Sequence, residues 1–127
     1  MVKPSVTGRV LVVEDDARIA NLVGELLGVL DYTVKVALTG ENGLEQVPIF
    51  QPDVILLDLT LPGMTGGEVL DRLRQEHPDV PVVVMTGDRE GASGTLARGA
   101  MAWLGKPFKI EALAKTLGDC LRMQREQ

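Results

Sequence analysis

The 127 residues fall in the usual size range of one domain, enough to bury roughly two thirds of the surface the unfolded chain exposes. At 45% hydrophobic and 24% charged residues the composition is that of an ordinary globular protein, and no apolar run approaches the ~20 residues of a membrane span. A net charge of −5 argues against a nucleic-acid surface, which needs clustered Lys and Arg, so neither a direct nucleic-acid partner nor a membrane is expected.

The segment Met1 to Arg9 has no apolar h-region and does not read as a secretory signal. Cys120 is the only cysteine, which excludes an internal disulfide and fits a reducing compartment; a cytoplasmic location is expected.

Arg9 to Val13 is an apolar run suited to a buried strand, and it ends in Glu14-Asp15-Asp16. From Ile19 the apolar residues recur as Leu22, Val23, Leu26, Leu27 and Leu30, the stripe of an amphipathic helix, with Asp16 placed to cap its start. Val34 to Leu38 reads as a short strand. Thr39-Gly40-Glu41 opens a second helix with Leu44 and Val47 on its inner face, and Pro48 should end or kink it early.

Val54-Ile55-Leu56-Leu57 has the composition of a strand buried on both faces and stops abruptly at Asp58. Pro62-Gly63 marks a turn, and Gly66 or Gly67 precedes a helix built on Val69, Leu70 and Leu73 that stops before Pro78. Val80 to Met85 is another apolar strand, followed by Thr86-Gly87-Asp88. Arg89 to Arg98 offers only Ala92, Leu96 and Ala97 as apolar contacts and contains Gly91 and Gly94, each costing a helix about 1 kcal/mol, so this segment should be short or mobile. Ala102-Trp103-Leu104 is the last strand and leads to Lys106-Pro107. The final helix carries Ile110, Leu113, Ala114, Leu117 and Leu121, and its polar tail from Arg122 to Gln127 should fray.

Strands alternating with helical segments across short gaps predict an α/β fold, a parallel sheet with right-handed crossovers and helices on both faces. In such sheets ligands bind at the carboxyl edge of the strands, where Glu14, Asp15 and Asp16, Asp58, Thr86 and Lys106 would all lie if the first and third strands are neighbours. Crowded carboxylates repel, at about 4 kcal/mol for two unit charges 4 Å apart at an effective dielectric of 20. A hard divalent cation with oxygen ligands, Mg²⁺ above all, would offset that charge, with Lys106 supplying more. Beside two cations, Asp58 can act as a nucleophile on phosphorus.

Five separated elements follow in order: Val12-Val13-Glu14-Asp15-Asp16, Leu57-Asp58 with Leu61-Pro62-Gly63, Met85-Thr86, Gly99-Ala100, and Lys106-Pro107-Phe108. Together they resemble the receiver domain of bacterial two-component response regulators. The resemblance implies a single receiver domain over 1–127, with an ordered core over about 8–122, and a flavodoxin-like sheet of five parallel strands in the order 2-1-3-4-5.

It implies a phosphorylation-activated switch rather than an enzyme acting on an external substrate. Asp58 would accept a phosphoryl group from a sensor histidine kinase or phosphotransfer protein, and the signal would pass to a downstream protein or a fused output domain. Asp15 and Asp58 would bind Mg²⁺ directly, Glu14 through water and Thr60 through its carbonyl, leaving Asp16 as a helix cap. Thr86 and Lys106 would hold the phosphoryl group, Trp103 would occupy the aromatic switch position, and the Lys106–Pro107 bond would be cis, against only about 5–6% of X-Pro bonds generally.

Three positions depart from the family pattern: Trp103 stands where Tyr or Phe is usual, Thr65 replaces a common acid, and the 20 positions from Thr86 to Lys106 are a short spacing, with the deficit in the fourth helix. Two other classes of protein share parts of this pattern. An aspartate-nucleophile phosphatase of the haloacid-dehalogenase type needs a second Asp two residues after the first, where this chain has Thr60; a degenerate receiver acting only by docking would not need Asp58, Asp15, Thr86 and Lys106 intact, but the altered fourth helix keeps that reading open. The plainer alternatives are a salt-bridge cluster for the acids and Lys106, loop capping for Thr86, core packing for Trp103, helix filling for Cys120, and a solvated helix end for His77.

Overall fold

The computed structural model describes residues 8–125. Chain order is β1 (Arg9–Val13), α1 (Ala17–Val29), β2 (Thr33–Ala37), α2 (Gly40–Phe50), β3 (Val54–Asp58), α3 (Gly66–Glu76), β4 (Val82–Thr86), α4 (Arg89–Ala97), β5 (Ala102–Gly105) and α5 (Ile110–Arg125). The strands pair in parallel in the order β2-β1-β3-β4-β5. Met1 to Thr7, most of the segment read as carrying no secretory signal, lie outside the described residues, as do Glu126 and Gln127 of the tail expected to fray; that tail is helical through Arg125.

Every residue of β3 and β4 is buried, which is why these strands read as unbroken apolar runs: helices cover both faces of the sheet. Successive residues feed opposite faces. Val10, Val12, Leu56, Val83 and Met85 pack against Leu27 of α1 and Leu113, Leu117 and Leu121 of α5, with Cys120 buried among them. Leu11, Val13, Ile55, Leu57 and Val84 pack against Val47 of α2 and Val69, Leu70 and Leu73 of α3. Truncating one of these leucines, such as Leu57→Ala, is expected to cost about 2–5 kcal/mol.

The helix starts follow capping chemistry. Asp16 caps α1, its Oδ1 accepting from Arg18 N–H at 2.9 Å. Thr65 caps α3 in a reciprocal box with Glu68, so Gly66 is the first residue of that helix. β2 lies one residue earlier than expected, at Thr33–Ala37, and α3 includes Gly66 and Gly67 rather than following them; two further boundaries differ for physical reasons. Helix α2 runs through Pro48 to Phe50 and closes on Gln51 in the left-handed region (φ 54°). The turn lacking the Pro48 N–H is held instead by tertiary contacts: Val47 is buried, and Arg9 donates from Nε to the Phe50 carbonyl at 2.8 Å with its guanidinium 4.3 Å from the Phe50 ring centroid. Strand β4 starts at Val82 rather than Val80, after Pro81, which has no N–H to pair but accepts from Ile55 N–H at 2.9 Å. The Lys106–Pro107 bond is cis, as the resemblance implied.

Candidate functional site

The parallel registers carry the ends of β1, β3, β4 and β5 to one edge. Glu14 follows β1 and extends its ladder, its N–H donating to the Ala37 carbonyl at 3.0 Å, which fixes the side chain against the sheet at 1% exposure. Asp58 closes β3 at 4% exposure, and Leu59 N–H beyond it bonds the Met85 carbonyl at 3.1 Å. Thr86 closes β4, also 4% exposed, and Lys106 follows β5 with its N–H on the Thr86 carbonyl at 2.9 Å. Continuing backbone pairing therefore leaves these side chains little freedom of position.

The side chains converge. Lys106 Nζ donates to Asp58 Oδ2 at 3.0 Å and to Glu14 Oε1 at 3.1 Å. The other Asp58 oxygen, Oδ1, accepts from Thr60 N–H at 3.0 Å. Glu14, Asp15 and Asp58 each offer a carboxylate oxygen within 4.8 Å of the others, with Asp15 exposed and the other two buried. Asp16 stays outside this group, occupied as the α1 cap.

One ammonium faces three carboxylates, and the imbalance shows in the protonation of Glu14. Its burial, then the neighbouring Asp58 carboxylate, push its pKa up to about 7 despite the pull of Lys106. For Lys106, burial alone would favour the neutral amine, but the Asp58 and Glu14 carboxylates outweigh it and hold the pKa above its usual value. The lysine is thus a permanent cation in a site still short of positive charge. Three oxygen donors within reach of each other, with hard carboxylate chemistry, fit a small divalent ion.

Thr86 and Trp103 lie on the side of the sheet that faces away from α1 and α5. Thr86 pairs with Gly105 and Val84 with Trp103. The Thr86 hydroxyl accepts from Asp88 N–H at 3.0 Å. The half-buried indole packs with the α2 and α3 side of the core and leans along β5, since a Cβ placed on Gly105 would meet its ring at 3.2 Å. Gly105, lacking a side chain, thus makes room for the indole edge at the register position opposite Thr86. His77 sits at the opposite end of α3 from the site, as its C-cap.

Sequence reading missed several supports. Gly66 lets the first turn of α3 rest on the backbone of the acid: a Cβ there would lie 2.6 Å from the Asp58 carbonyl oxygen and from Leu59 Cα. The paired glycines directly after a Thr cap were the available signal. Asp88 N–H on Thr86 is a local contact two residues apart whose signal was the Thr86-Gly87-Asp88 run itself, whereas Arg98 bridging α4 to α3 through Asp71 at 3.0 and 2.5 Å had no signal, because it depends on how the two helices are placed.

A flavodoxin-like sheet with a carboxylate and lysine cluster at its carboxyl edge defines the class of protein. Residues 10–118 match the response regulator receiver domain, and the chain belongs to that family. It is 38% identical over 112 residues to the regulatory protein LuxO of Vibrio cholerae, a match covering 87% of this chain and 25% of LuxO. The chain therefore spans about a quarter of the length of that relative. Among solved structures it is similar to a CheY-like receiver domain protein from Methanospirillum hungatei, with TM-score 0.89 and 28% identity over 95% of this chain and 98% of the other. It is likewise similar to NtrX from Brucella abortus, with TM-score 0.90 and 28% identity over 94% of this chain and 28% of NtrX. Family membership makes the domain a phosphorylation-activated switch of two-component signalling. No helix among the described residues is long and apolar enough to cross a membrane.

Proposed function

We propose that Asp58 is the phosphoacceptor, taking its phosphoryl group from a phosphohistidine on a sensor histidine kinase or phosphotransfer protein in the cytoplasm. An Asp58 oxygen bonds to phosphorus as the P–N bond breaks, and the imidazole leaves with the bonding pair. The reading rests on one observation above all: Lys106 Nζ lies 3.0 Å from Asp58 Oδ2 and 3.1 Å from Glu14 Oε1, at a strand edge with a third carboxylate in reach. Both Asp58 oxygens have a donor, Thr60 N–H or Lys106 Nζ, so attack by either leaves the carboxyl group anchored through the other.

Glu14, Asp15 and Asp58, with the Thr60 carbonyl, would hold Mg²⁺, whose charge against the equatorial phosphoryl oxygens is the chemistry the ion supplies. Lys106 stabilises the same oxygens from the protein side. The Thr86 hydroxyl turns to bond the phosphoryl group, and Trp103 follows towards the space Thr86 leaves, changing the surface presented to a downstream protein or a fused output domain. Hydrolysis reverses the modification: water attacks phosphorus, the bond to Asp58 breaks, and the carboxylate returns. The domain assists its own modification and turns over no external substrate. Residues 1–127 act as one such domain, with Pro107 shaping the loop that aims Lys106.

The test is intact-mass measurement after incubation with acetyl phosphate and Mg²⁺. One phosphoryl adduct is expected on the native chain, and none on Asp58→Asn or without Mg²⁺; an adduct of undiminished yield on Asp58→Asn would sink the assignment.

A further inference from the structure

Helix α4 is poorly anchored by packing. Only Ala92 and Thr95 of its nine residues are buried, Leu96 is exposed, and Gly91 and Gly94 weaken the backbone. Polar hooks at the two ends hold it instead, and they are unequal.

At the N-terminal end, Asp88 caps the helix by accepting from Glu90 N–H at 3.1 Å. Its own N–H is held by the Thr86 hydroxyl at 3.0 Å, with exposed Gly87 between them. At the C-terminal end, the Arg98 guanidinium forks onto both oxygens of Asp71 and also donates to the Gly67 carbonyl at 2.9 Å. The guanidinium lies close over Gly67, where a Cβ would sit 2.7 Å from Arg98 Nη1. Behind it, Gly99 turns at φ +106°, Ala100 N–H bonds the Thr95 carbonyl at 2.9 Å, and Met101 N–H joins the sheet at the Val82 carbonyl at 2.8 Å. A planar fork with a third bond to backbone fixes direction as well as distance, which a lysine could not do.

The two hooks attach α4 to different parts of the site. Its N-terminal hook is the hydroxyl that the phosphoryl group would recruit. Its C-terminal hook closes on the first two turns of α3, through Asp71 and through Gly67, the residue next to Gly66 where the helix rests on the Asp58 backbone.

We infer that the Arg98–Asp71–Gly67 clamp is the pivot of α4: when Thr86 turns to the phosphoryl group it releases Asp88 N–H, the N-terminal end of α4 swings, and the clamped end stays on α3. The inference rests on the phosphoacceptor reading above. Arg98 is then a positioning residue that converts a short movement of Thr86 into rotation of a helix, where an unclamped α4 would merely loosen.

Residue-resolved amide exchange with and without Mg²⁺ and a beryllofluoride phosphoryl mimic tests this, with mimic binding established by its thermal shift. In the native chain the mimic should speed exchange of the Asp88 amide about tenfold while Arg98, Gly99 and Ala100 change less than about twofold. In Arg98→Ala and Asp71→Asn, both at solvent-exposed positions, the three C-terminal amides should already exchange about tenfold faster without the mimic, and the contrast between the two ends should vanish when it is added. Native-like exchange and contrast in both variants, or equal responses at both ends of the native helix, would overturn the pivot. A native chain that binds the mimic without any change at Asp88 would overturn it too, yet leave the phosphoacceptor assignment standing; no mimic binding at all would remove both.

Discussion

Charged side chains at the two edges of the sheet end on different things. At the amino edge they end on backbone. Arg9 closes on the Phe50 carbonyl and ring, its N–H takes Asp53 Oδ2 at 2.8 Å, and Arg74 donates to the Pro78 and Val80 carbonyls. At the carboxyl edge Lys106, Glu14 and Asp58 end on each other, one ammonium bonding two carboxylates with the Asp15 carboxylate in reach of both acids. Backbone carbonyls neither titrate nor leave, so the first arrangement is fixed by the fold. The second is short of positive charge and responds to any ion or phosphoryl group that changes the balance. If Asp58 is the phosphoacceptor, function sits at the edge that folding leaves unneutralised, and the other edge is fixed by backbone contacts.

Breaking the carboxyl edge should give the largest functional effect with a gain in stability. Asp58→Asn should abolish the phosphoryl adduct and, by removing a buried negative charge, raise stability by about 1 kcal/mol, seen as a midpoint roughly 4 °C higher. A thermal melt beside the mass measurement checks both halves of the statement.

The pH dependence of Glu14 comes next. Its pKa is raised in the folded chain from 4.5 to about 7, so between these values the folded state holds a proton the unfolded chain has released. Its contribution to stability is complete below about 4.5 and is lost as pH rises through about 7, an effect on the order of 3 kcal/mol. Denaturation of native chain and Glu14→Gln across this window should diverge, the native chain losing stability relative to the variant as pH rises. Parallel curves would mean that the charge imbalance is relieved some other way. Saturating Mg²⁺ should restore the native chain's stability at pH 7 and leave Glu14→Gln less affected.

At the amino edge the direction reverses. Arg74→Ala removes the donors of the Pro78 and Val80 carbonyls and should cost about 2 kcal/mol in urea denaturation, with adduct yield unchanged. A stable Arg74→Ala chain that fails to take up phosphate would contradict the division of labour between the edges.

The smallest expected effect is optical. Trp103 is the only tryptophan, half-buried and leaning over Gly105, so its fluorescence should shift when the beryllofluoride mimic binds with Mg²⁺. Asp58→Asn should show no shift. Indole is larger than the usual phenol and its N–H needs a partner once buried, so the change should be partial. A spectrum unmoved by bound mimic would make Trp103 fixed core.

What could be read from the sequence follows from how local each signal is. Strands buried on both faces need unbroken apolar runs, so Val54 to Leu57 and, two residues too early at its start, Val80 to Met85 announced themselves, as did Asp58 and Thr86 at their ends. Asp16 as a cap was legible because capping spans two or three residues. Pro48 misled because its local penalty is offset by Arg9, 39 positions away, acting on the last turn of α2. The Arg98–Asp71 fork joins residues 27 apart on two helices, and nothing in either segment names the other. The cis bond before Pro107 was legible only through family resemblance, since most X-Pro bonds are trans.

Cys120 has a practical consequence. Its thiol is 3% exposed, and burial, then the nearby Asp119 charge, push its pKa up, so it stays protonated and out of reach of alkylating reagents at neutral pH. A maleimide probe introduced through Ser93→Cys on the exposed side of α4 would therefore label one position in an otherwise unaltered chain, with no silencing mutation in the core.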